Sequence, residues 1–179
     1  MINMLTTPHP RITAFIAASI DGKIALKKRK VPDWTSIEDW RFFQESLLHF
    51  DAVIVGRNTY HTAAQNLRRR RTYVFSRRIK RCYTRGGVTF INPERIDIRT
   101  ILREHTRVAL LGGSAIYGYF LKKNLIDELY LTIEPLLFGR GIPLLTLARR
   151  IPIRRYILHS AKRLNTTGTL LLHYKNTNL

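Results

Sequence analysis

Two segments of the chain repeat one local pattern: a short apolar run, then glycine, then the start of a helix. In one, residues 108–111 are followed by Gly112 and Gly113, and Ser114-Ala115-Ile116-Tyr117 opens a helical pattern that extends to Lys123. In the other, residues 52–55 are followed by Gly56, and a helix starts at Asn58-Thr59. A buried strand that ends in glycine at a helix start brings backbone close to a ligand, and the first amides of the helix point at an anion. The glycine pair alone is also an ordinary turn, so the order of the remaining segments decides between the two readings.

Residues 11–19 read as a mostly apolar strand. Residues 20–34 contain Gly22, a lysine cluster and Pro32 and read as a loop. Ser36 is a good N-cap, with Glu38 and Asp39 in the first helical turn, where carboxylates favour the helix dipole. Trp40, Phe43, Leu47 and Phe50 then recur at helical spacing. Further strands are predicted at 71–76, 88–91 and 128–134, and a helix at 97–104. Gly139 and Gly141 mark a turn. Strands at 155–161 and 169–174 are joined by a turn at 165–168. With no repeat, linker or boundary, residues 1–179 read as one domain, and 45% hydrophobic content suffices for its core. Alternating strands and helices imply an α/β fold: a mostly parallel central sheet, helices on both faces, and an antiparallel C-terminal hairpin at one edge.

Several function classes drop out. One cysteine, Cys82, excludes an internal disulfide and a zinc site of several thiolates. The six histidines show no metal-ligand spacing, so no metal is expected. No run is long enough to span a membrane, and residues 1–10 have no signal-peptide character, so a cytoplasmic protein without membrane contact is expected. Charge points the other way, toward partners. Lysine and arginine total 31 against 12 acids, a net +19, clustered at 27–30, 68–71, 77–81, 149–150 and 154–155. Such a field attracts phosphorylated metabolites, nucleotides or nucleic acid. A solvated arginine-rich surface would have the same composition.

Ligands on open α/β sheets bind beyond the carboxyl ends of the strands. Four such ends stand out: 17–24, Gly56-Arg57-Asn58-Thr59, Ser76-Arg77-Arg78 and Gly112-Gly113-Ser114. Two open helices after glycine. The third offers a hydroxyl and guanidinium groups suited to a phosphate monoester. A dinucleotide with a 2′-phosphate would use all three, although no GxGxxG fingerprint of the usual dinucleotide fold is present.

In order and spacing these pieces resemble the dihydrofolate reductase-like family, specifically a stand-alone form of the reductase domain of bifunctional riboflavin-biosynthesis deaminase/reductases. The likeness rests on Ala18-Ser19-Ile20-Asp21-Gly22-Lys23-Ile24-Ala25, residues 36–39, 51–60 and 74–77, Gly112-Gly113, 125–129 and 134–145. It implies NADPH as hydride donor. Ala18 would flank the nicotinamide, and Gly56, Arg57 and Thr59 the phosphates of the adenosine half. Ser76 and Arg77 would take the 2′-phosphate, and Gly112, Gly113, Ser114, Ala115 and Ile116 the pyrophosphate. It also implies a flap from Ile20 and Asp21 to Trp34, substrate contacts from Ile20, Trp34 and Glu134, and a helix carboxylate, Asp39, facing the substrate. Asp39, with Asp21 as the second candidate, would supply the proton that accompanies hydride transfer. A homodimer through the C-terminal strands is implied as well.

The substrate side departs from the family pattern. No Asp-Asp-Pro-x-Leu segment with a following Arg is present in residues 59–71. Leu111 stands where a glutamate usually precedes the glycine pair. Leu47-Leu48-His49 replaces a Leu-Arg-Ala run, and no His-x-Glu with Pro-Cys-x-x-Cys of a deaminase is present. The expectation is therefore an NADPH-dependent reductase of a small heterocycle of pterin or pyrimidine type, with 5-amino-6-(5-phosphoribosylamino)uracil as the riboflavin-pathway case. A basic nucleic-acid-binding protein on the same fold, without reductase activity, is the alternative. Plainer roles stay open for both acids: Asp21 as the cap of a turn with Gly22, and Asp39 as a helix-dipole partner.

Overall fold

The computed structural model describes residues 10–27, 32–67, 70–147 and 151–177. Its centre is β1 (Arg11–Ser19), buried almost throughout because helices cover both of its faces. In chain order there follow β2 (Lys23–Ala25), α1 (Ile37–Leu47), β3 (Ala52–Gly56), α2 (Arg57–Leu67), β4 (Arg71–Phe75), β5 (Tyr83–Arg85) and β6 (Val88–Ile91). Then come α3 (Ile98–Leu102), β7 (Arg107–Leu110), α4 (Ser114–Lys122), β8 (Glu128–Glu134), β9 (Ile142–Pro143), β10 (Tyr156–Arg163) and β11 (Leu170–Asn176). The main sheet has the order β10-β11-β8-β1-β7-β3-β4-β6-β5. From β8 to β6 the pairs are parallel. β11 and β10 continue one edge antiparallel, and β5 closes the other.

The period-2 alternation of β1 divides the core. Ile12, Ala14 and Ile16 join Ile54, Phe75, Leu110 and Phe120 on the face covered by α3 and α4. Phe15 joins Val53, Val55, Val74 and Ala109 on the face covered by α1 and α2, where Leu47 and Leu67 close it. α4 is anchored across the sheet by the Tyr117 hydroxyl, which donates to the carbonyl of Phe15. Burial pushes that phenol pKa well above its usual value.

The α/β architecture is the expected one, with local differences. The segment 20–34, expected as a loop, contains β2, which pairs antiparallel with β9 in a small second sheet. β5 is also additional. The helix expected at 97–104 is only α3, capped by the Asp97 side chain. α1 stops at Leu47, so Phe50 reaches the core from the turn that follows, while Trp40 is 51% exposed on the cleft side. Of the basic clusters, residues 28–30, 68–69 and 149–150 lie outside the described residues. Among the described residues no helix is long and apolar enough to cross a membrane, and no group of acids, histidines and cysteine could hold a metal ion.

Candidate active site

The carboxyl ends of the parallel strands open into a cleft of about 1070 Å³. At one end of it two helices begin. The Gly56 amide donates to the Gly112 carbonyl at 2.6 Å, and the Leu111 amide to the Ile54 carbonyl at 2.9 Å, so the ends of β3 and β7 are stitched together. A Cβ on Gly56 would stand 2.9 Å from Cγ1 of Ile116, and one on Gly113 would stand 3.5 Å from Oγ1 of Thr59. The first turns of α2 and α4 therefore face each other across a gap kept open by missing side chains. Gly113 is the N-cap of α4 and makes no side-chain cap. First-turn amides have no intrahelical acceptor, and here Ser114 and Ala115 line the cleft. The Ile116 and Tyr117 amides are spent on the Gly113 carbonyl, at 2.8 and 3.1 Å. The Ser114 hydroxyl is bonded to that of Thr146 at 2.5 Å, which fixes the segment crossing over α4.

The third phosphate-suited element borders the same end. Asn92, 5% exposed, donates from Nδ2 to the carbonyls of Arg77 and Ile79 at 3.1 and 3.0 Å. Ser76 is held to β6 through the Ile91 carbonyl at 2.9 Å and accepts the Arg78 amide on its hydroxyl at 3.3 Å. The backbone of this loop is thus fixed while Ser76, Arg77 and Arg78 present side chains to the cleft. Two helix N-termini, hydroxyls of serine and threonine, and two guanidinium groups form a donor set that fits a phosphorylated dinucleotide.

The other end is aromatic and acidic. Phe15 stacks on Tyr130 with centroids 5.3 Å apart, and Phe42 tilts against both. Trp34 packs edge-on to Phe138 at 5.0 Å. Asp39 lines the cleft with Phe15, Phe42, Tyr130 and Trp34, half-buried in the first turn of α1, which begins where Ser36 accepts the Asp39 amide on its hydroxyl at 3.3 Å. Burial raises the Asp39 carboxyl pKa above its ordinary 3.8; a hydrogen bond with Thr132 opposes that, the negative charge of Glu134 adds to it, and the net shift is upward. A carboxyl so placed holds its proton to higher pH than a surface aspartate.

Asp39, Trp34, Gly56, Arg57, Thr59, Ser76, Arg77, Gly113, Ser114, Ala115 and Ile116 all line the one cleft. Five candidates do not. Asp21 accepts from the Ser19 hydroxyl at 2.6 Å and from the amides of Phe138 and Gly139, each at 3.0 Å, so it ties the flap turn to a distant turn. Those bonds, the one from Ser19 foremost, hold its carboxyl below the ordinary range, which is contrary to proton donation. Glu134, expected at the substrate, is buried and accepts from the Ser36 amide and the Thr169 hydroxyl, both at 2.7 Å. Ile20 is 60% exposed outside the cleft, with its amide on the Leu136 carbonyl. Ala18 is fully buried, and its neighbour Ala17 meets the cleft instead. Gly112 lies behind Gly113, where its carbonyl serves Gly56. Sequence reasoning missed Phe42, Tyr130 and Thr132. Tyr130 and Thr132 alternate with Leu129 and Leu131 along β8, a period-2 signal that gains meaning only once β8 is placed beside β1 under α1.

Comparison with known proteins bears on family and fold. The model of the RibD C-terminal domain family matches residues 10–166. The uncharacterized protein YwjB of Bacillus subtilis (strain 168) is 31% identical over 144 residues, covering 73% of this chain and 79% of that protein. RibD of Acinetobacter baumannii superposes with a TM-score of 0.78 at 17% identity, over 97% of this chain and 60% of that one. Dihydrofolate reductase from Enterococcus faecalis, complexed with NADP(H) and RAB-propyl, superposes with a TM-score of 0.68 at 20% identity, over 95% and 98%.

Proposed function

The chain belongs to the RibD C-terminal domain family of dihydrofolate reductase-like proteins, and from that membership we propose that it is an NADPH-dependent reductase of a small heterocyclic substrate. The observation that carries the reading is the shared cleft. Paired N-termini of α2 and α4 and the Ser76-Arg77-Arg78 loop stand at one end, and Asp39 among aromatic rings stands at the other. Bound NADPH supplies a hydride from its nicotinamide ring. The chain does the rest. Ser76, Arg77 and Arg78 hold the 2′-phosphate. Gly56, Arg57 and Thr59 take the adenosine half, and the Ser114 and Ala115 amides take the pyrophosphate. Phe42, Phe43 and Tyr130 fix the plane of a ring substrate and exclude water. Asp39 delivers a proton to the reduced substrate, directly or through a water.

The substrate is a pterin- or pyrimidine-type ring. The phosphoribosylaminouracil of riboflavin biosynthesis belongs to that class, although Leu111 lines the cleft where the family's glutamate would stand. A fluorescence titration with NADPH and NADH tests the cofactor assignment. Saturable binding that prefers NADPH is expected, and no binding of either would overturn it. The exposed β10, with Ile157 64% and Leu158 49% exposed, supports a homodimer through the C-terminal strands. Sedimentation of Ile157→Lys against the wild type tests that assembly.

One observation favours a second reading, the nucleic-acid-binding protein. Exposed Arg77, Arg78, Lys80, Arg81, Arg85 and Arg95 lie in and around β5 and β6, at that edge of the sheet. DNA affinity that falls steeply with salt, without NADPH binding, would select it over the reductase.

A further inference from the structure

Glu134 is 3% exposed in a chain with 31 lysines and arginines, and yet no cation pairs with it in the ion pairs among the described residues. A buried carboxylate without a counter-charge is costly unless hydrogen bonds satisfy it. The two that do so lead to the candidate active site. One comes from the backbone of Ser36, the N-cap of α1, whose hydroxyl receives the Asp39 amide. The other comes from Thr169, which Asn165 holds in place at 2.9 Å while also reaching Glu38 of α1 at 3.2 Å. Two residues earlier on β8, and so on the same face of the strand, Thr132 lines the cleft with Asp39 and works against the upward shift of its carboxyl. The end of β8 thus holds the cap of α1, and Asp39 follows three residues after that cap.

We propose that Glu134 is the positioning residue for Asp39: its buried carboxylate fixes the N-cap that aims Asp39 into the cleft and sets a negative charge near the Asp39 carboxyl. The proposal rests on Asp39 as the proton donor of the reductase reading. The other charges near α1 are engaged elsewhere. Glu38 accepts from Asn165 and interacts with Arg41. Asp21 is turned to Phe138 and Gly139, and Asp33 has a partner of its own. Lys27 lines the cleft, but burial, Thr132 and Glu134 are what act on Asp39.

The test is a carbon-13 NMR titration of the Asp39 carboxyl in the full chain without ligand, assigned with Asp39→Asn. Glu134→Gln keeps an acceptor for the Ser36 amide and loses the charge, so the Asp39 midpoint should fall toward the ordinary aspartate range. Glu134→Asp keeps the charge, so its midpoint should lie above that of Glu134→Gln. It shortens the reach to Ser36, so hydrogen exchange at the Asp39 and Trp40 amides should quicken. An unmoved or higher midpoint in Glu134→Gln overturns the proposal. So do equal midpoints in the two variants. If Glu134→Gln does not fold, unchanged exchange in Glu134→Asp overturns it. None of these readouts needs turnover. Asp39→Asn that retains full turnover while the midpoints shift as expected would refute the reductase role of Asp39 and leave its electrostatic link to Glu134 standing.

Discussion

The Gly56 amide donates to the Gly112 carbonyl across 2.6 Å, joining β3 to β7 where α2 and α4 begin. The two glycines of the pair that follows β7 consequently have different roles. Gly112 has φ +86°, and a Cβ there would lie 2.6 Å from the Tyr117 ring. Gly113 has φ −80° and only ordinary contact beside it, Thr59 Oγ1 at 3.5 Å. Gly112→Ala should destabilise the fold by about 1–3 kcal/mol from left-handed backbone alone, with the ring clash in addition. Gly113→Asp should stay folded and lose NADPH binding, because its carboxylate would occupy the place of the pyrophosphate. Thermal melts and NADPH titrations of both variants check this; normal affinity in a folded Gly113→Asp protein would sink the phosphate assignment.

Arg77 and Arg78 project from a loop whose backbone Asn92 holds, so removing their side chains should leave that loop in place. The Arg77→Ala, Arg78→Ala double variant should narrow the preference for NADPH over NADH by roughly tenfold or more, since a charge-assisted hydrogen bond contributes about 1.5–3 kcal/mol. NADH affinity should change little. An unchanged ratio would move the 2′-phosphate pocket elsewhere.

What could be read from the sequence followed burial. β1, β6 and β8 span the predicted residues 11–19, 88–91 and 128–134, and β1, buried almost throughout, carries the continuous apolar signal of a strand covered on both faces. β2 and β9, three and two residues long, carry no periodicity, and their pairing exists only in three dimensions. The phosphate end was legible because glycine before a helix is a local sign. The roles of the acids were not. Whether Asp21 faces substrate or the Phe138–Gly139 turn depends on a contact 117 residues away, and which face of β8 Glu134 occupies depends on sheet register.

Tyr117 links two layers, and its hydroxyl bond to the Phe15 carbonyl is buried. Tyr117→Phe should cost about 1–3 kcal/mol, the penalty for leaving a buried polar group unpaired. Denaturant melts would show a lower midpoint with an unchanged slope. A variant as stable as the wild type would mean that water replaces the bond.

Asp39→Asn separates chemistry from stability. Turnover should fall by about 10²–10⁴-fold, the usual contribution of a positioned proton donor, with NADPH affinity retained. Stability should move the other way. The carboxyl pKa in the folded chain is raised above its ordinary 3.8, so between those two values the native state holds more protons than the unfolded one. Stability then declines as pH rises through that window. The asparagine variant escapes this loss. It should be the more stable protein at neutral pH, and its advantage should shrink to nothing as pH falls below 3.8, where wild-type Asp39 is neutral in both states. Melting temperatures across pH decide the matter. A difference between the two proteins that stays constant with pH would show that Asp39 titrates like a surface carboxylate, and the proton would then have to come from solvent.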